Sequence, residues 1–313
     1  MIPPGKFQIC LVNLVKHWYD IVNLIVKKTG ANDMSILITS DSTCDLSPVQ
    51  VQSHGIELFP LYIVKEEKPY RDGMEIFPAD IFAHVAAGGS LCATSAVNLA
   101  DYMERFRVLS AKYDAVIHVN ISSDFSSCYQ NAKLAAAEFP NVYVVDSRNL
   151  STGHGHVVLA ACEMAEAGMA APEIVARLEE LIPKVSASFI LDQLEYMKKG
   201  GRCSSVMALG ANLLKLKPCI EVTDGKMHVG KKYRGSLVKC LQAYVEDRLN
   251  DLDAIDPHRI FITHTDMPQE ALQAVHEAVE GLQYFEEVAD TNAGCTVSCH
   301  CGPGTLGILY LYR

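Results

Sequence analysis

The chain has 313 residues, 49% of them hydrophobic and 20% charged, and a formal charge of −10. That length accommodates two domains of about 100–200 residues each, and the composition is that of a globular protein with a sizeable core. The acidic balance and the lack of any Lys/Arg run exclude a nucleic-acid surface. No stretch reaches the roughly 18 continuous apolar residues of a membrane span. This predicts no integral span and leaves room for transient contact with a membrane surface.

The eleven cysteines are scattered singly, mostly in apolar or Ala-rich segments. That pattern predicts a reducing, cytoplasmic setting rather than a secreted disulfide framework. Near the N-terminus, Ile9, Val12, Val15, Tyr19, Val22 and Val26 recur at spacings of three and four, opposite Asn13, Lys16, Asp20, Asn23 and Lys27. Residues 1–34 are therefore expected to be an amphipathic helical extension. Asn13, Lys16 and His17 interrupt the apolar core that a signal peptide would need.

From Met34 onward strands and helices alternate. Ile36–Thr39 is an apolar strand ending in Ser40-Asp41-Ser42, Leu58–Val64 is a second strand, and Tyr70-Arg71-Asp72-Gly73 reads as a turn. Helices are expected over Pro78–Ala87 and Leu99–Leu109, separated by Cys92-Ala93-Thr94-Ser95-Ala96. The buried strand Ala115–Asn120 then leads through Ser122, Ser123, Ser126 and Ser127 into an Ala-rich helix. Val142–Asp146 is the next strand, and Gly153-His154-Gly155 reads as a tight turn into the helix Val157–Ala167. The alternation predicts an α/β fold with a largely parallel sheet covered on both faces.

A second half begins near Pro172. Helices are expected over Glu173–Leu181, Glu195–Arg202 (stopped by Gly200-Gly201), Val206–Leu216, Leu237–Leu249 and Glu270–Leu282. Strands are expected over Ser186–Leu191, Pro218–Val222, Lys226–Lys232, Ile260–His264, Glu287–Ala289 and the apolar run Leu306–Tyr312, with a hairpin turn at Asp224-Gly225. His300 stands in a Gly-rich loop, His300-Cys301-Gly302-Pro303-Gly304. The domain division is thus 1–34, 35–170 and 171–313.

The hydroxyl cluster after Ala115–Asn120 is the first chemical signal. Serines at the C-terminal end of a strand, opening a helix, suit an anionic head group through free N–H groups and the helix dipole. They equally suit helix capping. Other constellations are weaker. Gly153-x-Gly155 lacks the third glycine of a dinucleotide fingerprint, with Val158 in its place. There is no Walker loop and no G-x-S-x-G elbow. Cys295, Cys299, His300 and Cys301 suggest zinc, but three adjacent ligands reach one tetrahedral ion poorly, so no metal is expected.

Taken together, the separated motifs resemble the DegV family of fatty-acid-binding proteins, which includes the binding subunit of bacterial fatty acid kinase. The resemblance rests on Ile36–Ser42, Tyr70–Gly73, Thr94-Ser95, Ile121–Gln130, Val145-Asp146-Ser147, Leu194–Arg202, Lys217-Pro218 and His300–Gly304, and covers nearly everything after Met34. It implies two α/β domains with one long-chain fatty acid in a tunnel between them. By motif position Thr94, Ser95, Ser126 and Ser127 would face the carboxylate, with Arg202, His300 and Asp72 near the head group. It further implies a carrier with no catalytic residues, metal or cofactor, which presents its ligand to a separate fatty acid kinase subunit for conversion to acyl phosphate. Two departures stand out: Ala96-Val97 follow Thr94-Ser95 where the family has Gln-Pro, and Ser127-Cys128 replace Gly-Thr. The alternatives are a lipid-responsive regulatory or transport protein without a kinase partner, and a zinc-containing acyl-processing enzyme.

Overall fold

The computed structural model describes residues 35–208 and 216–313. The expected N-terminal helix over 1–34 lies outside them. The β-branched runs of the first half form β1 (Ile36–Asp41), β2 (Glu57–Phe59), β3 (Tyr62–Lys65), β4 (Lys68–Arg71), β5 (Ala93–Ser95), β6 (Ala115–Asn120) and β7 (Val142–Asp146). The second half supplies β8 (Val185–Ile190), β9 (Leu216–Thr223), β10 (Lys226–Arg234), β11 (Ile255–His264), β12 (Glu287–Asn292) and β13 (Leu306–Tyr312).

These strands make an α/β architecture of three sheets. The first has the order β2-β1-β6-β7 and is wholly parallel. Every residue of β6 is buried, as expected for a central parallel strand. The second has the order β10-β9-β8-β13-β11-β12, and only β11 and β12 run parallel. A small antiparallel sheet, β4-β3-β5, stands apart. The largely parallel sheet expected from the alternation up to residue 167 is thus this first sheet. Hairpins such as Asp224-Gly225 set the second half antiparallel; both turn residues have positive φ, 49° and 79°, matching the twist of the flanking strands.

Several boundaries differ from the sequence reading for local reasons. Leu58–Val64 is not one strand: Pro60, which has no N–H to give to a ladder, separates β2 from β3, and the two join different sheets. Tyr70 and Arg71 belong to β4, so the turn begins only at Asp72. The helix expected from Val206 ends at Met207, Leu216 already lies in β9, and 209–215 fall outside the described residues.

The largest correction concerns Gly153-His154-Gly155. It is not a turn but part of the helix Ser151–Glu166, which is buried on all sides from Ser151 to Cys162. This helix contacts β1 and β6 on one side and β8, β11 and β13 on the other. Its glycines permit that double approach. A Cβ on Gly155 would stand 2.8 Å from the Cys44 carbonyl oxygen, and one on Gly153 would stand 3.1 Å from the Ala187 Cβ. Both large apolar clusters continue across the expected boundary at 170, one joining Ile38, Ile117 and Val157 to Ala187, Phe261 and Leu309.

Polar side chains accompany this apolar core. His118 Nδ1 lies 2.8 Å from Thr39 Oγ1, and His154 Nε2 lies 3.1 Å from both Ser40 Oγ and the Val119 carbonyl oxygen. His156 Nε2 donates to the Leu309 carbonyl at 3.1 Å. Burial holds all three imidazoles below their ordinary pKa, His156 at about 4.

Two outcomes follow from this packing. Gly155→Ala should destabilise the protein by about 1–3 kcal/mol, because the backbone oxygen it meets cannot rotate away. Thermal unfolding of the variant at an unchanged midpoint would contradict this. For the histidines, the folded state favours the neutral ring, so stability is full above the unfolded pKa near 6.5 and falls as pH drops towards 4. By pH 4 His156 alone forfeits about 3 kcal/mol. Buried Asp45, raised to about 8, and His264, whose pKa is raised, act in the opposite sense, two groups against three. Denaturant midpoints should therefore be lower at pH 5 than at pH 7.5; equal or higher midpoints at pH 5 would refute the assignment.

Candidate ligand-binding site

In the first sheet, β1 connects outward to β2 and β6 connects outward to β7, so the chain reverses direction between β1 and β6. The crevice beyond the carboxyl ends at such a reversal is where open α/β sheets place ligands. Asp41, at the end of β1, closes the base of this crevice. Its side chain accepts the Ile121 N–H at 2.7 Å and the Thr43 N–H at 3.1 Å. That fixes the turn after β6. Within the turn Ser122 offers its carbonyl to the Phe125 and Ser126 N–H groups, while its hydroxyl donates to the Gly225 carbonyl at 2.8 Å. The β9–β10 hairpin tip is thereby docked on the serine turn.

Ser126 opens the helix after β6 and also faces a cavity. Its Oγ accepts the Cys128 N–H at 3.3 Å at the start of the helix Cys128–Ala136, and its hydroxyl donates to Cys128 Sγ at 3.2 Å. It also lines a cavity of about 120 Å³ that is partly open to solvent. Ser127 lines it as well and makes no side-chain cap.

Thr94 reaches this cavity from β5 and His300 from the helix Cys295–Cys301, with Thr94 Oγ1 2.8 Å from His300 Nε2. His300 is thus on a helix, not in the loop expected from its glycines; the helix ends at Gly302, whose φ of 74° suits glycine. Burial, assisted by the Arg202 charge, lowers the His300 pKa to about 4, so the ring is neutral at pH 7. Its Nδ1 is buried without a hydrogen-bond partner against Gly200, where a Cβ would stand only 2.2 Å away.

Arg202 lies just past the helix Leu194–Gly200, which stops at Gly201 with φ 70°. Its guanidinium donates to the Gly200 carbonyl at 2.6 Å and reaches the Phe125 carbonyl at 3.5 Å. No carboxylate among the described residues pairs with it. Among the described residues it is the one charged side chain lining the cavity; Leu61, Ile121, Phe125, Met197 and Met227 supply apolar walls. Leu150, Val297 and Cys301 continue from this cavity into a narrower cleft lined by Ala187, Phe189 and Leu309. The arrangement suits an amphiphile with a negatively charged end and an apolar body.

Asp72 and Ser95 do not line the cavity. Ser95 is exposed at the end of β5. Asp72 is buried and accepts the Cys295 N–H at 3.0 Å, the Thr296 N–H at 3.1 Å and the Thr296 hydroxyl at 2.7 Å. It caps the helix that carries His300 and so acts on the site through that helix. Asp45 supports the same helix end through the Gly294 N–H at 2.9 Å. No group of three or more His, Cys, Asp or Glu among the described residues is placed to hold a metal ion. The apolar walls escaped the sequence reading: Met197, Met227 and Leu61 sit in unrelated segments and share no periodicity.

The Gly200–His300 contact gives a direct test. Gly200→Ala must displace the ring and break its 2.8 Å contact with Thr94, so ligand affinity should fall about tenfold with the fold retained. Unchanged affinity would show that this contact is dispensable.

Comparisons with known proteins bear on the fold and the family. The model of the DegV family, described as uncharacterised proteins, matches residues 35–313. A DegV domain-containing protein of Deinococcus radiodurans is 32% identical over 276 residues, covering 88% of this chain and 98% of that protein. A solved DegV family protein from Thermus thermophilus, described as binding fatty acid, superposes with a TM-score of 0.82 at 30% identity, covering 90% of this chain and all of that one. DegV of Bacillus subtilis, described as a fatty acid binding protein, gives a TM-score of 0.80 at 27% identity, with coverage of 90% and 100%. The chain belongs to the DegV family.

Proposed function

We propose that this protein binds a long-chain fatty acid and presents the carboxylate to a separate kinase subunit, which phosphorylates it to an acyl phosphate. The observation carrying the binding half is a cavity whose single charged lining residue, among the described residues, is Arg202, with Thr94, Ser126 and Ser127 supplying hydroxyls and apolar side chains supplying the walls. Two relatives of known structure that are described as fatty acid binding share the fold over their whole length.

The chemistry of the head-group end fits such a role. Ser126 donates to a thiol sulfur, a weak acceptor, and burial keeps Cys128 protonated by raising its pKa to about 12. A carboxylate therefore displaces that bond at little cost and gains a stronger one. In the tautomer in which neutral His300 donates from Nε2 to Thr94, the Thr94 hydroxyl proton is free for the same carboxylate. Hydroxyl donors orient a carboxylate without neutralising it, so it retains the nucleophilicity that attack on a phosphoryl group requires. Arg202, anchored on two backbone carbonyls, attracts that carboxylate from beside the hydroxyls without clamping it, and is also placed for the charge of an incoming phosphoryl group or an acyl phosphate. The tail gains about 0.8 kcal/mol per buried methylene. ATP chemistry is assigned to the partner subunit, and this chain supplies binding alone, in a cytoplasmic setting.

Mass spectrometry of lipid extracted from the denatured protein tests the binding half. One long-chain fatty acid per chain is expected, with Ser126→Ala losing about tenfold in affinity for it; a wild-type protein that is empty and takes up no added fatty acid would overturn the reading. The presentation half is tested by adding ATP and a fatty acid kinase catalytic subunit. Acyl phosphate should form only with both proteins present, and turnover by this chain alone would contradict the carrier role.

A further inference from the structure

The cavity beside Arg202 is small for a long tail. It holds about 120 Å³ and the cleft beyond it about 20 Å³, whereas sites for small molecules ordinarily measure about 300–1,000 Å³. A larger pocket of about 680 Å³ lies at the other end of the cleft, where β11 and β12 finish. The cleft shares Leu150, Val297 and Cys301 with the cavity, and it shares His264, Thr265 and Ala293 with the larger pocket. The three spaces therefore form a row. Taking the ligand to be the long-chain acid proposed above, we infer that its tail runs along this row and ends in the larger pocket, and that Ala293, at the last junction, sets the chain length accepted.

The polar side chains along the route do not oppose an alkyl chain. Thr263 Oγ1 lies 2.6 Å from Thr152 Oγ1 and 2.9 Å from Thr291 Oγ1. The Thr265 hydroxyl donates to the Gly302 carbonyl at 2.8 Å, and the Thr305 hydroxyl to the Cys301 carbonyl at 3.0 Å. Ser151 donates to Asp45 at 2.5 Å. His264 holds Nδ1 2.8 Å from the Thr265 carbonyl oxygen and Nε2 3.3 Å from Asp290. Each of these groups is bonded within the protein, so a hydrocarbon passing them strands no donor or acceptor.

The larger pocket suits a chain end better than a second head group. One wall is the helix Pro78–Ala86, of which only Ile81 is fully buried; Phe82, Ala83 and Val85 border the pocket. Phe82 meets Tyr196, also in the wall, edge to face with ring centroids 6.4 Å apart. The described lining holds no lysine or arginine to pair with a carboxylate, its imidazole is turned onto Asp290, and Asp266 would repel one. Ala293 is 3% exposed, and its N–H donates to the His264 carbonyl at 2.8 Å. Its backbone is thus held in place, and the size of the side chain at 293 governs the junction.

Lauric and stearic acids, which differ only in tail length, provide the test with the full-length protein. Ala83→Lys puts a charge at an exposed position of the pocket wall and should weaken stearic acid about tenfold more than lauric acid. Ala293→Leu should discriminate in the same direction by filling the junction; Ala83→Lys carries the test if that buried substitution unfolds the protein. A stearic acid bearing a diazirine near its methyl end should crosslink on irradiation to the helix Pro78–Ala86. Equal losses for the two acids in Ala83→Lys, no loss for stearic acid, or crosslinks confined to Phe189 and Leu309 would overturn the route while leaving fatty-acid binding intact. A wild-type protein that binds neither acid would overturn the fatty-acid reading and the route with it.

Discussion

Three aspartates shielded from water hold together the elements that surround the cavity. Asp41 accepts the Ile121 N–H and shapes the turn after β6. Asp72 accepts two N–H groups at the start of the helix carrying His300, and Asp45 accepts the Gly294 N–H just before it. A buried backbone donor left without a partner costs about 1–3 kcal/mol, so these acceptors fix the loops rather than decorate them. They also decide the electrostatics of the site. In a chain with a formal charge of −10, the acidic groups nearest the cavity are turned onto backbone donors, and Arg202 remains as its charged residue.

The second constraint is mechanical. The helix Ser151–Glu166 is buried by the parallel sheet on one side and the mixed sheet on the other. Ordinary side chains at positions 153 and 155 would hold those layers apart. Because the helix is wedged between the sheets, the serine turn after β6 and the hairpin tip at Gly225 meet, and Ser122 bonds to Gly225 across that junction. The apolar cleft between Leu150 and Phe189 follows from the same packing.

Much of this was legible in the chain. The apolar runs at Ala115–Asn120, Val142–Asp146 and Leu306–Tyr312 coincide with β6, β7 and β13; in β6 and most of β13, burial on both faces leaves no polar alternation to disguise the strand. The resemblance carried by Thr94, Ser126, Arg202 and His300 anticipated four residues that line one cavity although they are far apart in sequence. Other features were hidden for physical reasons. Gly153 and Gly155 look like turn residues because local sequence records their freedom, not the tertiary crowding that requires them. His300 looked like a loop residue because Gly302 and Gly304 follow it, yet Asp72, more than two hundred positions earlier, supplies the cap that lets a seven-residue helix form there.

The central claim is that the cavity recognises a negatively charged head through Arg202 and its hydroxyl neighbours and a tail through its apolar walls. Competitive titration with palmitic acid and 1-hexadecanol, which share a tail and differ at the head, tests it most directly. The account predicts that the acid binds at least tenfold tighter at pH 7.5, and that Arg202→Gln removes most of the difference. Equal affinities for acid and alcohol in the wild-type protein would contradict it.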